Sequence, residues 1–303
     1  MLPRKTEKLE KYAACARGYC EPWRTALGVL LVATVLSLIF AALTVVVKTI
    51  AEWVQLGAGY AIVFELATFS SKRTVLIALF AIVLTIPALW LVVKFLHHRS
   101  FRSLIAPTGR VHWRNYMAAA LIALIFGLLI SLPVLYSGAY SQQLSLSVWL
   151  PWVLPALALV FLQTAAEELF FRGYLMQQLA AHFKSRWIWW VLPAVLFGAR
   201  HYNPLLYSDN WMLAVGVATL AGLIYGDITA RTGDLSIALG LHFANNLLLI
   251  LFLNVSGQLS ALSLFLKNTN VRNVDLMRVE LLVSIGATIT AYAIYLLVMR
   301  ARR

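Results

Sequence analysis

Charged residues are scarce in this chain. Asp, Glu, Lys and Arg make up 12% of its 303 residues, whereas soluble domains carry about 25%. Hydrophobic residues make up 61% of the chain and are spread along its whole length. We therefore predict an all-α fold, a polytopic transmembrane helical bundle, and exclude an ordinary soluble domain.

Cysteine and acidic residues are scarce as well. The two cysteines, Cys15 and Cys20, both lie in the basic N-terminal segment, and no Cys-rich metal-binding spacing is present. The 12 acidic residues stand against 25 basic ones, which gives a formal net charge of +13. The basic residues cluster in loops between apolar segments, which is typical of cytoplasmic loops that face anionic lipid. We expect the lipid bilayer as a partner and no nucleic acid.

Apolar segments predict about eight transmembrane helices. The N-terminal one is about 20 residues long, more than the core of a signal peptide needs, and indicates a retained helix. Residues 48–73 mix apolar and polar residues and are predicted to form a loop with an interfacial piece. The predicted spans cover about 26–47, 74–95, 116–136, 148–183, 188–201, 211–230, 235–253 and 279–299.

The distribution of charge predicts the orientation. If the N-terminus is cytoplasmic, the basic segments 1–24, 97–114, 184–186 and 300–303 all fall on the cytoplasmic side, and the uncharged loop 137–147 falls outside. We expect an integral protein of a bacterial inner (plasma) membrane with both termini in the cytoplasm.

Two adjacent carboxylates interrupt the fourth apolar segment. An ionisable group at membrane depth is expensive and usually has a partner or a function. Glu168 and Arg172 are four residues apart, so on a helix they share a face and can form an ion pair. Glu167 lies about 100° further round the helix, and we expect it to be free of that pair.

Two of the six histidines lie within or at the end of apolar segments. Glu167 precedes the turn near Lys184 by 17 residues and His201 follows Ser185 by 16, so both lie about 25 Å from the turn on antiparallel helices. His242 lies only about 12 Å into its helix, which requires a recessed turn or a tilted helix. The other histidines are expected to be solvated loop residues: His97, His98, His112 and His182.

Glu167, His201, His242 and Asn246 suit hydrolysis, because Asn246 shares a helix face with His242. A glutamate and a histidine can activate a water, and a histidine with an amide can donate to an oxyanion. The alternative is a divalent metal such as zinc held by Glu167, His201 and His242. The H-E-x-x-H motif of many metalloproteases is absent, which favours the first mechanism.

Two further interpretations stay open on spacing alone. In one, the Glu168–Arg172 pair only pins helices and the histidines bond to backbone carbonyls. In the other, buried Glu and His relay protons in a proton-coupled transporter.

Three motifs in this order resemble the CAAX prenyl protease and bacteriocin-processing (CPBP) family of intramembrane proteases. They are E-E-x-x-x-R at Glu167–Arg172, F-x-x-x-H from Phe197 to His201, and H-x-x-x-N from His242 to Asn246. The resemblance covers residues 148–255 and implies a CPBP-type membrane endopeptidase that acts on a membrane-associated peptide or protein.

The resemblance also implies roles for the individual residues. Glu167 and His201 would activate the water, and His242 and Asn246 would form the oxyanion site. Glu168 and Arg172 would hold the helix of the first motif, with Phe197 in support. The family is classed with metalloproteases, although a metal-free glutamate mechanism is also proposed for it, and some members are non-proteolytic immunity or scaffold proteins.

The motifs and the apolar segments together divide the chain into three regions. Residues 1–147 form an N-terminal region with three predicted transmembrane helices, residues 148–255 form the CPBP-like catalytic core, and residues 256–303 form a loop and the last transmembrane helix.

The orientation can be tested with reporter fusions. We expect reporters at Tyr140 and after Arg303 to lie on opposite sides of the membrane, because the charge pattern places only the second in the cytoplasm. Alkaline phosphatase and fluorescent-protein fusions measure this, and the same side for both positions would contradict the predicted orientation.

Overall fold

The computed structural model describes residues 6–54, 59–255, 259–267 and 273–301. Nearly all of these residues lie in helices, which we label in chain order. The helices are α1 (Glu7–Ala14), α2 (Pro22–Trp53), α3 (Gly59–Thr68), α4 (Lys72–Leu96), α5 (Trp113–Tyr136), α6 (Leu146–His182), α7 (Trp187–Ala199), α8 (Trp211–Thr232), α9 (Ser236–Phe252) and α10 (Val274–Ala301).

Within the described part of the chain, six helices are long and apolar enough to cross a membrane: α2, α4, α5, α6, α8 and α10. The other two predicted spans, α7 and α9, are shorter apolar helices of 13 and 17 residues. At 1.5 Å per residue α7 is about 20 Å long, less than the ~30 Å hydrocarbon core of a bilayer. The polytopic helical bundle is confirmed, and α7 is too short to cross a bilayer by itself.

The sequence locates most helix ends through local chemistry. Pro22 begins α2, where its missing N–H is tolerated. Ser71 caps α4 and forms a reciprocal capping box with Thr74. Gly233, with φ +77°, follows the end of α8 in the left-handed conformation that favours glycine. These signals explain why the predicted spans differ from the helices only by a few residues at their ends.

Residues 48–73 differ in part from the prediction of a loop. Helix α2 continues to Trp53 because the apolar pattern runs past Lys48 and Glu52, which lie 3.6 Å apart as an i,i+4 pair. Helix α3 then occupies Gly59–Thr68. Residues 55–58 of the predicted loop lie outside the described residues.

A small sheet joins three connecting segments and was not predicted. Strand β1 (Tyr140–Gln142) runs antiparallel to β3 (Phe265–Lys267), and β2 (Leu253–Val255) runs parallel to β3. Tyr140 pairs with Lys267 and Leu253 pairs with Phe265. Strands of three residues are too short for an alternating pattern to be recognised in a sequence.

The basic segments meet at the other end of the bundle. The Thr6 hydroxyl donates to the carbonyl of Ala230, and the Tyr12 hydroxyl donates to the carbonyl of Leu104, each at 2.5 Å. The backbone N–H of Leu235 donates to the carbonyl of Ile105 at 3.0 Å. The N-terminal segment, the loop after α4 and the turn after α8 therefore share one end of the bundle, and its cytoplasmic location stays a prediction.

His97 is not a solvated loop residue, and that prediction is wrong. Its side chain is 1% exposed, its Nδ1–H donates to the carbonyl of Tyr19 at 2.7 Å, and the Tyr174 hydroxyl donates to Nε2 at 2.8 Å. Burial lowers the pKa of His97 below its ordinary value. The loop folds back beneath the N-terminal segment, a long-range contact that no local pattern encodes.

Close helix contacts depend on small residues. A Cβ at Gly222 in α8 would lie 3.0 Å from the Cα of Ala194 in α7. A Cβ at Gly240 in α9 would lie 2.3 Å from the carbonyl oxygen of Tyr116 in α5. These two contacts let the short helices α7 and α9, which carry the second and third motifs, lie tightly against their neighbours.

Candidate active site

Polar residues of the three motifs lie around one cavity of about 720 Å³. Its polar wall consists of Gln163, Glu167, Arg200, His201 and Asn246, from α6, α9 and the segment after α7. Its opposite wall is apolar and comes from α2 and α4, for example Leu36, Phe40 and Leu79. Such a cavity, apolar with a few convergent polar groups, is typical of a ligand site.

The predicted ion pair between Glu168 and Arg172 is present and is enclosed by protein. Arg172 Nη1 lies 2.7 Å from Glu168 Oε1, and neither side chain is more than 2% exposed. Arg172 Nη2 also donates to the carbonyl of Gly222 at 3.3 Å. The guanidinium of Arg172 lies over the Phe197 ring, 4.6 Å from the centroid. The arginine thus joins α6 to α7 and α8.

The helix changes its winding directly after the acid pair. Residues Leu169–Met176 form a π-helical segment within α6. Such widened turns often occur at functional sites. Here the segment begins immediately after Glu168 and contains Arg172, so the ion pair lies where α6 departs from regular α-helix.

Glu168 has a second partner that the sequence did not reveal. His242 Nδ1–H donates to Glu168 Oε1 at 2.8 Å, while His242 Nε2 lies 3.5 Å from Glu167 Oε2. The carboxylate fixes the orientation of the ring and leaves Nε2 as the acceptor when the imidazole is neutral. His242 is 4% exposed and is not among the residues that line the cavity.

The turn before α9 explains how His242 reaches this depth. Leu235 is fully buried and Asp234 is 7% exposed, and a Cβ on Gly233 would lie 3.0 Å from the carbonyl oxygen of Lys8. The turn is therefore recessed beneath the N-terminal segment. A recessed turn, one of the two alternatives, is thus present.

Glu167 has a charged partner of its own that was not predicted. Glu167 Oε1 lies 3.6 Å from Arg200 Nη2, and the Glu167 side chain is 8% exposed. Arg200 was missed because it directly follows α7, where a basic residue is usually interfacial, and stands next to His201. A basic residue at the end of an apolar helix was the signal available.

His201 and Asn246 also have protein partners. His201 Nδ1–H donates to the carbonyl of Phe197 at 3.0 Å, so its Nε2 is the acceptor of the neutral ring. Asn246 Nδ2 donates to Gln163 Oε1 at 2.9 Å. Gln163 was also missed, although it lies one turn before Glu167 on the same helix face. The structure thus brings Glu167, His201 and Asn246 to one cavity, as the equal predicted depths of the first two led us to expect.

The residues named as zinc ligands do not form a metal-binding set. Among the described residues, no three His, Cys, Asp or Glu side chains are arranged to hold a metal ion. In each ring Nδ1 donates to Glu168 or to the Phe197 carbonyl, so Nε2 is the nitrogen that is left to bind a water or another ligand.

We expect Arg172→Ala to destabilise the protein. The substitution leaves the buried Glu168 carboxylate without its cation, which costs about 3–5 kcal/mol. Thermal unfolding in detergent measures the loss, with Arg186→Ala as a control. A variant that is equally stable but inactive would contradict a structural role and would make Arg172 a catalytic residue.

Known proteins share part of this sequence. Residues 147–248 match the family model described as Type II CAAX prenyl endopeptidase Rce1-like. The chain is also 35% identical over 175 residues to the uncharacterized protein YyaK of Bacillus subtilis (strain 168). That alignment covers 55% of this chain and 57% of YyaK, so the chain spans little more than half of its relative. No solved structure matches the chain significantly.

The matched segment contains all three motifs and the lining residues Gln163, Glu167, Arg200, His201 and Asn246. Residues 147–248 are therefore similar to the Rce1-like family of CAAX prenyl endopeptidases, and this segment holds the three motifs that carry the resemblance.

Proposed function

We propose that this chain is an intramembrane endopeptidase that hydrolyses a peptide bond of a membrane-associated protein or peptide. The observation that carries the proposal is the cavity among the membrane helices, with Glu167 and His201 on one wall. The match of residues 147–248 to the Rce1-like family model supports proteolysis, and the apolar residues that α2 and α4 contribute to the cavity suit a hydrophobic substrate segment.

Glu167 is the general base in this proposal. A water held between Glu167 and His201 Nε2 attacks the scissile carbonyl and gives its proton to the carboxylate. His201 accepts a hydrogen bond from the water, because its Nδ1–H is already bound to the Phe197 carbonyl. The Glu167 proton then passes to the leaving amine, and the carboxylate is regenerated.

The resemblance gives the oxyanion role to His242 and Asn246. The contacts support a positioning role for both in addition. His242 lies between the two glutamates, and Asn246 holds Gln163 one turn before Glu167. Both side chains therefore help to set the orientation of the acid pair.

A second cavity gives a route for the substrate. It has a volume of about 820 Å³, shares Leu206 with the first cavity, and is lined by Lys72, Gln143 and Asn203 among others. These residues lie near the sheet, away from the basic segments. With the N-terminus in the cytoplasm, we infer that a polar part of the substrate approaches from the extracytoplasmic side.

We expect Glu167→Gln to abolish cleavage. The amide keeps the size of the side chain but cannot accept the proton, and general bases contribute about 10²–10⁴-fold to rate. Purified protein in lipid nanodiscs, with fluorogenic peptides that contain an apolar segment with or without a lipid, provides the assay. The control is Glu52→Gln, an exposed glutamate on α2.

Normal cleavage by Glu167→Gln would refute the role of Glu167 as the base. A wild-type protein that cleaves no peptide would instead favour a non-proteolytic scaffold or immunity protein.

We expect chelation to leave activity unchanged, because we propose that side chains alone activate the water. Metal content and cleavage rate of the purified protein are measured before and after treatment with a chelator. Near-stoichiometric zinc, with activity lost on chelation and restored by added zinc, would establish the metal mechanism instead.

A further inference from the structure

We propose that Arg200 is a further catalytic residue, whose guanidinium donates hydrogen bonds to the oxyanion formed from the scissile carbonyl. The inference rests on the proposed peptide-bond hydrolysis. The three motifs leave Arg200 without a role, since it occupies a variable position of F-x-x-x-H.

The position of Arg200 places it beside the reacting atoms. It follows the last residue of α7 and lines the same cavity as Glu167, His201 and Asn246. Arg200 Nη2 lies 3.6 Å from Glu167 Oε1. A base and a cationic donor thus lie on one wall, close enough to act on the same carbonyl group.

The guanidinium of Arg200 has its donors available. Its side chain is 41% exposed, and it donates no hydrogen bond to any residue that the structure describes. The separation from Glu167 is longer than a hydrogen bond. An arginine has five N–H donors in a fixed planar arrangement and stays protonated. At membrane depth, a cation with unused donors indicates a site for an anion.

The second arginine near the acid pair provides the contrast. Arg172 is 2% exposed and donates to Glu168 and to the carbonyl of Gly222. Its charge is neutralised within the protein and faces no cavity. Of these two arginines, only Arg200 is placed to meet a substrate.

The donors expected from the resemblance are already engaged. His242 Nδ1–H bonds to Glu168, and its Nε2 lies 3.5 Å from Glu167 Oε2, so both ring nitrogens face the acid pair. One N–H of the Asn246 amide bonds to Gln163. Among the described residues that line this cavity, Arg200 alone offers a permanent positive charge.

Hydrolysis begins with the attack of a water on the scissile carbonyl. The water oxygen forms a bond to the carbonyl carbon, its proton passes to Glu167, and the carbonyl π electrons move onto oxygen. Arg200 then stabilises that oxygen by hydrogen bonds and charge. The carbonyl re-forms as the C–N bond breaks, and the amine takes the proton from Glu167.

The first test is kinetic. We expect Arg200→Ala to lower kcat about 10²–10³-fold, as removal of an oxyanion donor does, with KM changed by less than about threefold. Added guanidinium chloride should restore part of the lost rate, and Arg200→Lys should retain more activity than Ala. Arg186→Ala, at the other end of the bundle, is the matched control. An unchanged kcat, or a change confined to KM, would overturn the proposal.

The second test separates an oxyanion donor from a mere counter-ion of Glu167. The probe is a peptide phosphonate, whose tetrahedral anion replaces the scissile carbonyl of a cleaved peptide. Its affinity is measured for Glu167→Gln and for Glu167→Gln with Arg200→Ala. We expect at least about tenfold weaker binding by the double variant, since Arg200 contacts the anion directly. Equal binding would show that Arg200 serves only Glu167 and would overturn the proposal.

The two hypotheses fail differently. A wild-type protein that cleaves no peptide refutes the hydrolysis and this inference with it. Cleavage by wild type with undiminished kcat in Arg200→Ala refutes the role of Arg200 alone. If Arg200→Ala does not fold, Arg200→Gln replaces it in both measurements.

Discussion

A single carboxylate buried among four helices organises the centre of this protein. Glu168 is fully buried and accepts hydrogen bonds from Arg172 on its own helix and from His242 on α9. Arg172 in turn reaches the backbone of α8 and the Phe197 ring of α7. An uncompensated charge in such a place is strongly unfavourable. The carboxylate therefore constrains α7, α8 and α9 to lie where their groups can neutralise or surround it.

The two acids of the pair divide their tasks according to their surroundings. Glu168 is closed off from the cavity and has short contacts, so its charge serves the packing of helices. Glu167 lines the cavity and has two looser contacts, to Arg200 and to His242 at 3.6 and 3.5 Å. Its carboxylate can therefore exchange partners, as the proposed role of a general base requires. The neighbouring positions differ in function because one side of α6 faces packed helices and the other faces the cavity.

The short helices α7 and α9 place the polar residues of the site inside the bundle. Helix α7 ends within the bundle, so Arg200 and His201 lie at the cavity. The recessed turn before α9 places His242 deeper than its distance along the helix suggests. Gly222 and Gly240 permit both helices to lie close to their neighbours. Polar, irregular backbone is tolerated at membrane depth where it lines a cavity or is covered by protein.

The sequence by itself determined the helices and the relation between residues one turn apart. Apolar runs and caps are local signals, so the eight predicted spans match eight helices closely. The Glu168–Arg172 pair followed from spacing, because the geometry of one helix fixes which side chains share a face. The three motifs, read in order, also located the segment that matches the Rce1-like family model before any distance was known.

The tertiary structure alone decided which faces meet. His242 reaches Glu168 across 74 residues and Asn246 reaches Gln163 across 83. Arg200 beside Glu167 and His97 beneath the N-terminal segment are contacts of the same kind. Periodicity gives the direction of a side chain relative to its own helix axis only. The rotation, depth and tilt of one helix against another depend on packing over the whole bundle, so these partners could not be read from the chain.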